Sequence, residues 1–515
     1  MTCRPSRARL LALLGAIALT GCGGTAPEGP GADDWHGLLA AGDGTGAEAA
    51  LRRALDRGAA PGDLAPWLGE AELQQGNLPE AEYWLTGGEF SPDAAAHGFH
   101  MLGRLRIRQG DLASAGQAFD RALGAGSIDP GLWADIGRMR WQGGQQVEAV
   151  AAAERALELE PDSPAALLFR AQLLRDAEGN GAALPLIERG LSHAPDDADL
   201  LAEHAATLGE LGRAKDMLGA TRRLAKVAPG DPRVLWLQAV LAARAGQYDL
   251  ARSLLQRGSA KVEQDTPAAI LLLAIIDLEN GNHASAAQGL DVLARRQPDN
   301  ARVQALLARA LYQGGNYREL VARFGGGESW PYIEELVGRS YEALGERTKA
   351  ATFLDRARGG GAMRIGPAKG EGGGIAAQVR TLIAQGRSGD ARSKAGAFLA
   401  SHPGSVDAMA LAGDTALVAG DNRAALGYYR RAAAVRRSWS LTRRMVAALD
   451  RTGDPRAATT LVADYLQGEP ANADAAAMLG RRLIDAADDA RGRALIEYAR
   501  SRGRNDPVLE RLLEG

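Results

Sequence analysis

The sequence predicts an all-α solenoid of stacked antiparallel helix pairs, and three observations point to this class. A glycine recurs every 34 residues in the first part of the chain, and an alanine follows each such glycine by five residues, as at Gly42/Ala47 and Gly76/Ala81. The chain of 515 residues is too long for one compact core. Its 65 glycines are about twice the usual share, which indicates a turn used many times over. A fixed period of this length is typical of helix–turn–helix repeats.

The 34-residue register extends through most of the chain. It continues with steps of 30 to 35 residues and resumes after one break, although Glu178 replaces the glycine in one copy. The turn positions are Gly42, Gly76, Gly110, Gly144, Gly212, Gly246, Gly281, Gly315, Gly345, Gly386, Gly420 and Gly453. At each of them we expect a left-handed residue between two antiparallel helices, which glycine adopts at little cost.

Small residues seven positions before the turns predict close helix packing. With no side chain, or only a methyl group, they let the two helices of a pair approach each other. They are Gly69, Gly103, Gly137, Ala239, Ala274, Ala308, Gly338 and Gly413. Prolines 17 residues after the turn position, as at Pro161 and Pro195, are expected to stop the second helix before the next pair begins.

The best copies resemble the tetratricopeptide repeat family. The stretch Trp133-Ala134-Asp135-Ile136-Gly137 matches the family pattern W-x-x-L-G with one conservative change, and Ala115-Gly116-Gln117-Ala118-Phe119 matches A-x-x-x-F. The resemblance covers roughly residues 33–510 in about thirteen or fourteen units. It implies a superhelix of antiparallel helix pairs whose neighbours share one continuous core.

A glycine-rich stretch divides this array. The sequence GGGAMRIGPAKGEGGG at 359–374 predicts a flexible linker, with one solenoid segment at 33–358 and a second at 375–515. The final residues 506–515 are expected to form a helix that caps the last pair.

The N-terminus has the features of a secretory signal peptide. Residues 1–9 carry three arginines and no acid, and residues 10–19 are apolar apart from one glycine. The following Leu19-Thr20-Gly21-Cys22 resembles the bacterial lipobox, which implies cleavage after residue 21 and a lipid anchor on Cys22. The alternative is an ordinary signal peptide that ends in a cysteine by coincidence.

The lipobox resemblance also implies a location. Lipoproteins of the inner membrane carry aspartate after the cysteine, whereas Gly23 follows here, so in a bacterium with two membranes we expect the outer membrane, facing the periplasm. Residues 22–32 would then be the lipidated cysteine and a flexible tether.

Catalytic and metal-binding motifs are absent from the sequence. It contains no H-E-x-x-H, P-loop, G-x-S-x-G or C-x-x-C, so we expect no enzyme activity and no cofactor. The formal net charge of −3 gives no reason to expect a nucleic-acid partner. His97 and His100 share one helix face, but no third ligand stands at helical spacing, so we expect no metal site.

The family resemblance implies a concave groove lined by the first helix of each pair. Carrying over the family's groove positions gives a set rich in arginine, which favours carboxylates and stacks on aromatic rings. Besides His97 and His100, the set contains Arg104, Arg108, Arg138, Trp141, Gln172, Arg175, Trp236, Arg244, Arg309, Tyr312 and Arg339. We interpret it as a surface for an acidic peptide, the C-terminus of a partner protein or an anionic polysaccharide; the alternative is a generic solvated face.

These features together indicate a non-enzymatic scaffold lipoprotein that binds proteins at the periplasmic face of the outer membrane. The resemblance implies an envelope assembly or secretion machine, such as an exopolysaccharide export or pilus-type system. The alternatives are a polysaccharide-binding module and a regulatory subunit of an envelope enzyme.

Overall fold

A computed structural model describes residues 34–40, 42–87, 89–258, 266–297, 300–326, 330–359, 374–502, 504 and 507–514. Within these ranges the fold is all-α, without strands, which confirms the predicted class. The predicted signal peptide (1–21), Cys22 and the tether (22–32) lie outside the described residues. The protein divides into two compact units between Glu89 and Phe90.

The first unit contains two helix pairs. A small core joins them, with Leu51 and Leu68 fully buried. Its helices are α1 (Trp35–Ala40), α2 (Gly44–Asp56), α3 (Pro61–Gln75) and α4 (Leu78–Thr86).

The second unit contains twelve further pairs and a terminal helix in its described residues. The pairs up to the predicted linker are α5 (Pro92–Arg108), α6 (Leu112–Gly124), α7 (Pro130–Gln142), α8 (Gln146–Leu159), α9 (Pro164–Glu178), α10 (Asn180–His193), α11 (Ala198–Glu210), α12 (Ala214–Val227), α13 (Pro232–Arg244), α14 (Tyr248–Gly258), α15 (Pro267–Glu279), α16 (His283–Arg296), α17 (Ala301–Gln313), α18 (Tyr317–Phe324), α19 (Pro331–Ala343) and α20 (Arg347–Gly359). After it follow α21 (Ile375–Ala384), α22 (Ser388–Ser401), α23 (Val406–Val418), α24 (Asn422–Ala433), α25 (Trp439–Arg451), α26 (Pro455–Gly468), α27 (Ala473–Asp485), α28 (Asp489–Ser501) and α29 (Pro507–Glu514).

The predicted turn glycines are confirmed. All twelve have φ between 73° and 83°, the left-handed conformation that closes each pair. In the copy that lacks the glycine, the turn falls on Gly179, whose φ of 101° differs from the others. The register also continues one step beyond Gly453, because Ala487 adopts the same left-handed conformation with φ 63°.

The small residues before each turn lie where the two helices of a pair touch. A Cβ atom on Gly103 would overlap the ring of Phe119, and a Cβ on Gly413 would overlap the ring of Tyr429, in each case on the second helix of the same pair. A Cβ on Gly137 would overlap the ring of Phe169, which lies on the first helix of the next pair. On the opposite helix, the alanines five residues after the turns are fully buried, as at Ala115 and Ala149. Glycine and alanine at these positions therefore set the distance between paired helices, as predicted.

The ends of the second helices follow the prolines. Helix α8 ends two residues before Pro161 and α10 ends two residues before Pro195. The last helix, α29, packs on α28, and it also contacts α19 and α20. None of the described helices is both long and apolar enough to cross a lipid bilayer.

Most of the first predicted solenoid segment, from Phe90 onward, lies in the same compact unit as the second predicted segment, whereas its residues up to Glu89 belong to the other unit. The division at residues 359–374 stays a prediction, and residues 360–373 lie outside the described part of the protein. Helix α26 contacts α10, and Trp141 packs against a buried cluster formed by residues 406–479. The polypeptide thus returns to contact itself at places far apart in the sequence.

Candidate binding groove

The first helices of five successive pairs, α5, α7, α9, α11 and α13, line a cavity of about 470 Å³. Leucines and alanines of these helices form part of the wall, together with Ile107 and the half-buried Trp236. Four arginines and three carboxylates stand among them: Arg104, Arg108, Arg138, Arg233, Asp135, Asp199 and Glu203. Such a surface offers apolar contact area together with charged groups that fix the orientation of a ligand.

Asp135 is the centre of the charge network at one end of the cavity. Its carboxylate lies 2.9 Å from His100 Nε2, 2.7 Å from an Arg138 guanidinium nitrogen and 3.5 Å from Arg104 Nε. On its other side, His100 Nδ1 lies 3.3 Å from a carboxylate oxygen of Asp129. A residue of α7 is thereby held by two residues of α5, one repeat earlier in the sequence.

Burial and ion pairing shift the pKa values of this network in opposite directions. Burial alone would raise the pKa of Asp135, but the hydrogen bond from His100 and the charges of Arg104 and Arg138 hold it far below its ordinary value. Burial likewise opposes the charged form of His100, yet its bonds to Asp129 and Asp135 raise the pKa of the imidazole. Both partners are therefore stabilised in their charged forms.

The other carboxylates of the cavity are also paired. Arg233 lies 2.6 Å from Asp199, one repeat earlier, and 2.6 Å from Asp231 at the start of its own helix. Glu203 accepts a hydrogen bond from Gln172 at 3.1 Å and pairs with Arg175. These pairs link consecutive repeats and offset the negative charge of the wall.

The pKa of Arg108 reports the electrostatic environment of the α5 end of the cavity. Burial lowers the pKa of this guanidinium, and the like charge of Arg104 lowers it further. An anion placed between the two arginines would relieve this repulsion, because an opposite charge nearby favours the charged form. This end of the groove is therefore suited to a carboxylate.

Five of the predicted groove residues come together in this cavity, and the others do not. Arg104, Arg108, Arg138, Gln172 and Trp236 line it. His97 does not line the cavity. His100 is 5% exposed, and its imidazole pairs with Asp135. Among the described residues no cluster of histidine, cysteine or carboxylate side chains could hold a metal ion.

The remaining predicted residues take part in local pairs outside the 470 Å³ cavity. Arg244 pairs with Glu210 at 2.6 Å, Arg309 with Glu279 at 3.0 Å, and Arg339 with Glu335 at 2.7 Å. Trp141 packs against the buried cluster that contains Phe169, and the ring of Tyr312 lies 5.6 Å from that of Tyr317. Arg175 borders a second cavity of about 340 Å³. The pairs of Arg244 and Arg309 join two helices, whereas the pair of Arg339 lies within α19.

Sequence reasoning missed the carboxylates of the groove and Arg233. Asp135 and Glu203 both stand nine residues before their turn position, which the carried-over groove positions do not include. Each accepts from groove residues one repeat earlier, at a separation of 28 to 35 residues. The signal that could have found Asp135 and Glu203 is an acid displaced by about one repeat from an arginine or histidine of the groove. Asp199 and Arg233 each stand 13 residues before their turns, which is itself one of the carried-over groove positions.

Comparison with known families gives the same repeat. One model of the tetratricopeptide repeat matches residues 36–95, 100–164, 200–265 and 376–440. A second model of the same repeat matches residues 242–310. The matched residues together make up more than half of the protein.

Individual relatives are distant. Cellulose synthase 2 operon protein C of Komagataeibacter xylinus is 27% identical over 249 residues, which are 48% of this chain and 17% of that protein. The chain therefore spans less than a fifth of the length of this relative.

Solved structures are more distant still. A human IFIT1 dimer with m7Gppp-AAAA is 16% identical over 76% of this chain and 94% of its own, with a TM-score of 0.37. The protein pilF of Pseudomonas aeruginosa is 17% identical over 45% of this chain and 93% of its own, with a TM-score of 0.28. At these values the likenesses support no conclusion about function.

Proposed function

Because the chain belongs to the tetratricopeptide repeat family, a fold that generally binds protein partners, we propose that it is a scaffold that holds an acidic segment of a partner protein in the groove of α5–α13. The single observation that carries this proposal is the 470 Å³ cavity in which four arginines meet an apolar wall. The carboxylates of the wall are already paired with basic or amide groups, so they repel an acidic ligand less than their number suggests.

The proposal places this scaffold in the cell envelope. The lipobox-like Leu19–Cys22 stretch supports a lipid anchor on Cys22, and Gly23 supports the periplasmic face of an outer membrane. The name of the Komagataeibacter relative refers to a cellulose synthase operon, which supports an exopolysaccharide export role over a pilus-type one. Because the name of this relative refers to the synthesis of a polysaccharide, a polysaccharide-binding module is the second candidate.

The groove is tested by removing the positive charges of Arg104 and Arg108, which stand one helical turn apart on α5. We expect Arg104→Gln with Arg108→Gln to weaken binding of an oligo-glutamate peptide by at least about tenfold, because two cations of the site are lost. Isothermal titration at low and moderate salt measures this, and the wild-type affinity should fall as salt screens the pair. Circular dichroism confirms that the helices are retained.

A matched control removes two arginines from the second helices. Arg155 on α8 and Arg222 on α12 are exposed and lie outside the cavity, so Arg155→Gln with Arg222→Gln should leave peptide affinity unchanged. Equal losses in both double variants would contradict a groove site. Binding of an anionic polysaccharide or of a cello-oligosaccharide, without peptide binding, would favour the polysaccharide-binding candidate instead.

The anchor has a separate test. We expect Cys22→Ser to abolish lipid attachment, so that the protein either leaves the membrane fraction or keeps its signal peptide. Membrane fractionation and the mass of the mature protein measure both outcomes. If the variant is processed and fractionates like the wild type, the lipid anchor is wrong while the groove proposal still stands.

A further inference from the structure

Two backbone contacts join the repeats before the predicted linker to those after it. At the first contact, the Val147 amide donates to the carbonyl of Gly404 at 3.3 Å, and the Val406 amide donates to Gln146 Oε1 at 3.2 Å. Gln146 and Val406 stand 260 residues apart, and both are buried. The first turn of α8 therefore binds the loop that leads into α23.

The second contact joins the α9–α10 turn to the segments before α25 and after α26. The Arg437 amide donates to the carbonyl of Asp176 at 2.8 Å, and its guanidinium donates to the carbonyl of Glu178 at 3.4 Å. The same guanidinium lies over the ring of Tyr465, 5.9 Å from its centroid. We call residues 176–180, 436–438 and 468–469 the clasp.

Glycines make the clasp possible. A Cβ atom on Gly179 would lie 2.6 Å from the carbonyl oxygen of Gly468, and a Cβ on Gly468 would overlap the carbonyl of Glu178. The two backbones thus touch at a place where neither can carry a side chain. This contact coincides with the α9–α10 turn, where the repeat lacks its usual turn glycine and Gly179 adopts its different φ.

A polar pair, the buried Asn180 and the half-buried Glu469, lies at the centre of the clasp. Asn180, 5% exposed, donates from Nδ2 to Glu469 Oε1 at 2.9 Å. The other amide atom, Asn180 Oδ1, is also buried and has no hydrogen-bond partner among the described residues. An unsatisfied buried acceptor costs about 1–3 kcal/mol, so the arrangement lacks one donor.

A proton on Glu469 would supply that donor. A neutral carboxyl group accepts on one oxygen and donates from the other, and an amide does the reverse, so the two side chains can form two hydrogen bonds in place of one. Burial raises the pKa of Glu469, and the charge of Glu210 raises it further, against hydrogen bonds from Asn180 and the charge of Arg175. Burial therefore favours the same neutral form that completes the hydrogen bonding.

We propose that Glu469 and Asn180 form a proton-dependent clasp that holds residues 374–514 against residues 90–359. Protonated Glu469 donates to Asn180 Oδ1 and closes the clasp, whereas ionised Glu469 leaves Oδ1 unsatisfied and weakens it. The titratable and charged groups that border this site are Arg175, Asp176, Glu178, Glu210, Arg436, Arg437, Tyr465 and Asp474.

The direction of the pH dependence follows from linkage. A carboxyl whose pKa is higher in the closed form takes up a proton on closure, so acid favours the closed form. Between the open-state and closed-state pKa values, the closure constant falls by up to about tenfold for each pH unit gained. The clasp therefore loosens as the pH rises through the raised pKa of Glu469.

Hydrogen exchange of the Arg437 amide measures this directly. After correction for intrinsic exchange, we expect its protection in the full-length protein to fall as the pH rises through the raised pKa of Glu469, by up to about tenfold for each pH unit. In the Glu469→Gln variant this pH dependence should disappear, and the Arg437 amide should stay protected at every pH. The reason is that glutamine accepts from Asn180 Nδ2 and donates to Asn180 Oδ1 whatever the pH. The control Glu497→Gln, at an exposed position on α28, should keep the wild-type profile.

Two results would overturn the proposal. One is wild-type protection at Arg437 that does not change with pH, which needs no variant to observe. The other is a Glu469→Gln protein with the pH profile of the wild type. Peptides from α15 and α16 serve as an internal reference, since they lie in a different part of the array and should show no matching change.

Discussion

Replacing Asp135 with alanine is expected to lower the free energy of unfolding of the surrounding repeats by about 3–5 kcal/mol. The Asp135 side chain is only 13% exposed and pairs with His100, Arg104 and Arg138, so its loss leaves three cations with one fewer partner in a partly desolvated site. Urea unfolding followed by circular dichroism measures the loss. Hydrogen exchange along α5 and α7 locates it, which matters because repeat arrays can unfold in parts.

Asp162 provides the matched control for this substitution. It also contacts an arginine and a histidine, Arg189 at 2.7 Å and His193 at 3.3 Å, but its side chain is 42% exposed. Exposed ion pairs contribute up to about 1 kcal/mol, so Asp162→Ala should have a small effect. Similar losses for the two substitutions would show that burial does not determine the contribution of the Asp135 network.

The destabilisation by Asp135→Ala should also depend on pH. The depressed pKa of Asp135 gives stability that is present above its unfolded value and is lost as the pH falls through the folded value. The raised pKa of His100 gives stability that is present below its unfolded value and is lost as the pH rises through the folded value. The difference between wild type and variant is therefore expected to be largest between about pH 4 and about pH 6.5, the unfolded values of the two groups, and to shrink as the pH rises toward the raised pKa of His100.

Local geometry explains why the turns and helix pairs could be predicted from the sequence. A left-handed residue between antiparallel helices has one inexpensive solution, so Gly246 or Gly420 marks its turn wherever it stands. The same holds for Gly413, which faces the ring of Tyr429, because only a missing side chain permits that approach. These constraints act within about one repeat and remain visible in the sequence.

The groove was predicted only in part because its charges depend on the neighbouring repeat. Arg104 and Arg138 were recognised by position, but their shared partner Asp135 was not, since pairing depends on how consecutive helices are stacked. Arg244 and Arg309 satisfy the same positional rule yet pair with acids away from the cavity. Position in the repeat therefore identifies the helix face, and the packing of the next repeat decides which side chains remain available.

The clasp could not be predicted from repeat patterns at all. Residues such as Asp176 and Arg437 meet only after the small rotations of many successive pairs have accumulated. The one sign in the sequence was the missing turn glycine at Glu178. On its own this indicates only a weak copy of the repeat, and the contact of Glu178 and Gly179 with Gly468 explains it. In this case the departure from the repeat pattern coincides with a long-range contact.

The second large effect is expected in the core beside the Asp135 network. Phe119 is 1% exposed, and its ring lies against Gly103 and 6.1 Å from the ring of His100. Phe119→Ala should cost about 3–5 kcal/mol, because it removes a buried ring and leaves a cavity. Gly103→Ala should by itself cost about 1–3 kcal/mol, since its methyl group would overlap that ring.

Combining the two substitutions reverses the sign of the second one. Once Phe119 is alanine, the methyl group at position 103 enters empty space, and the preference of a helix for alanine over glycine should then add up to about 1 kcal/mol of stability. A double-mutant cycle from urea unfolding measures this coupling. Gly116→Ala is the control, because its Cβ would lie 3.6 Å from Met139 Sδ and should stabilise both backgrounds alike. If Gly103→Ala stabilises the wild type as Gly116→Ala does, then close approach is not the reason for glycine at this position.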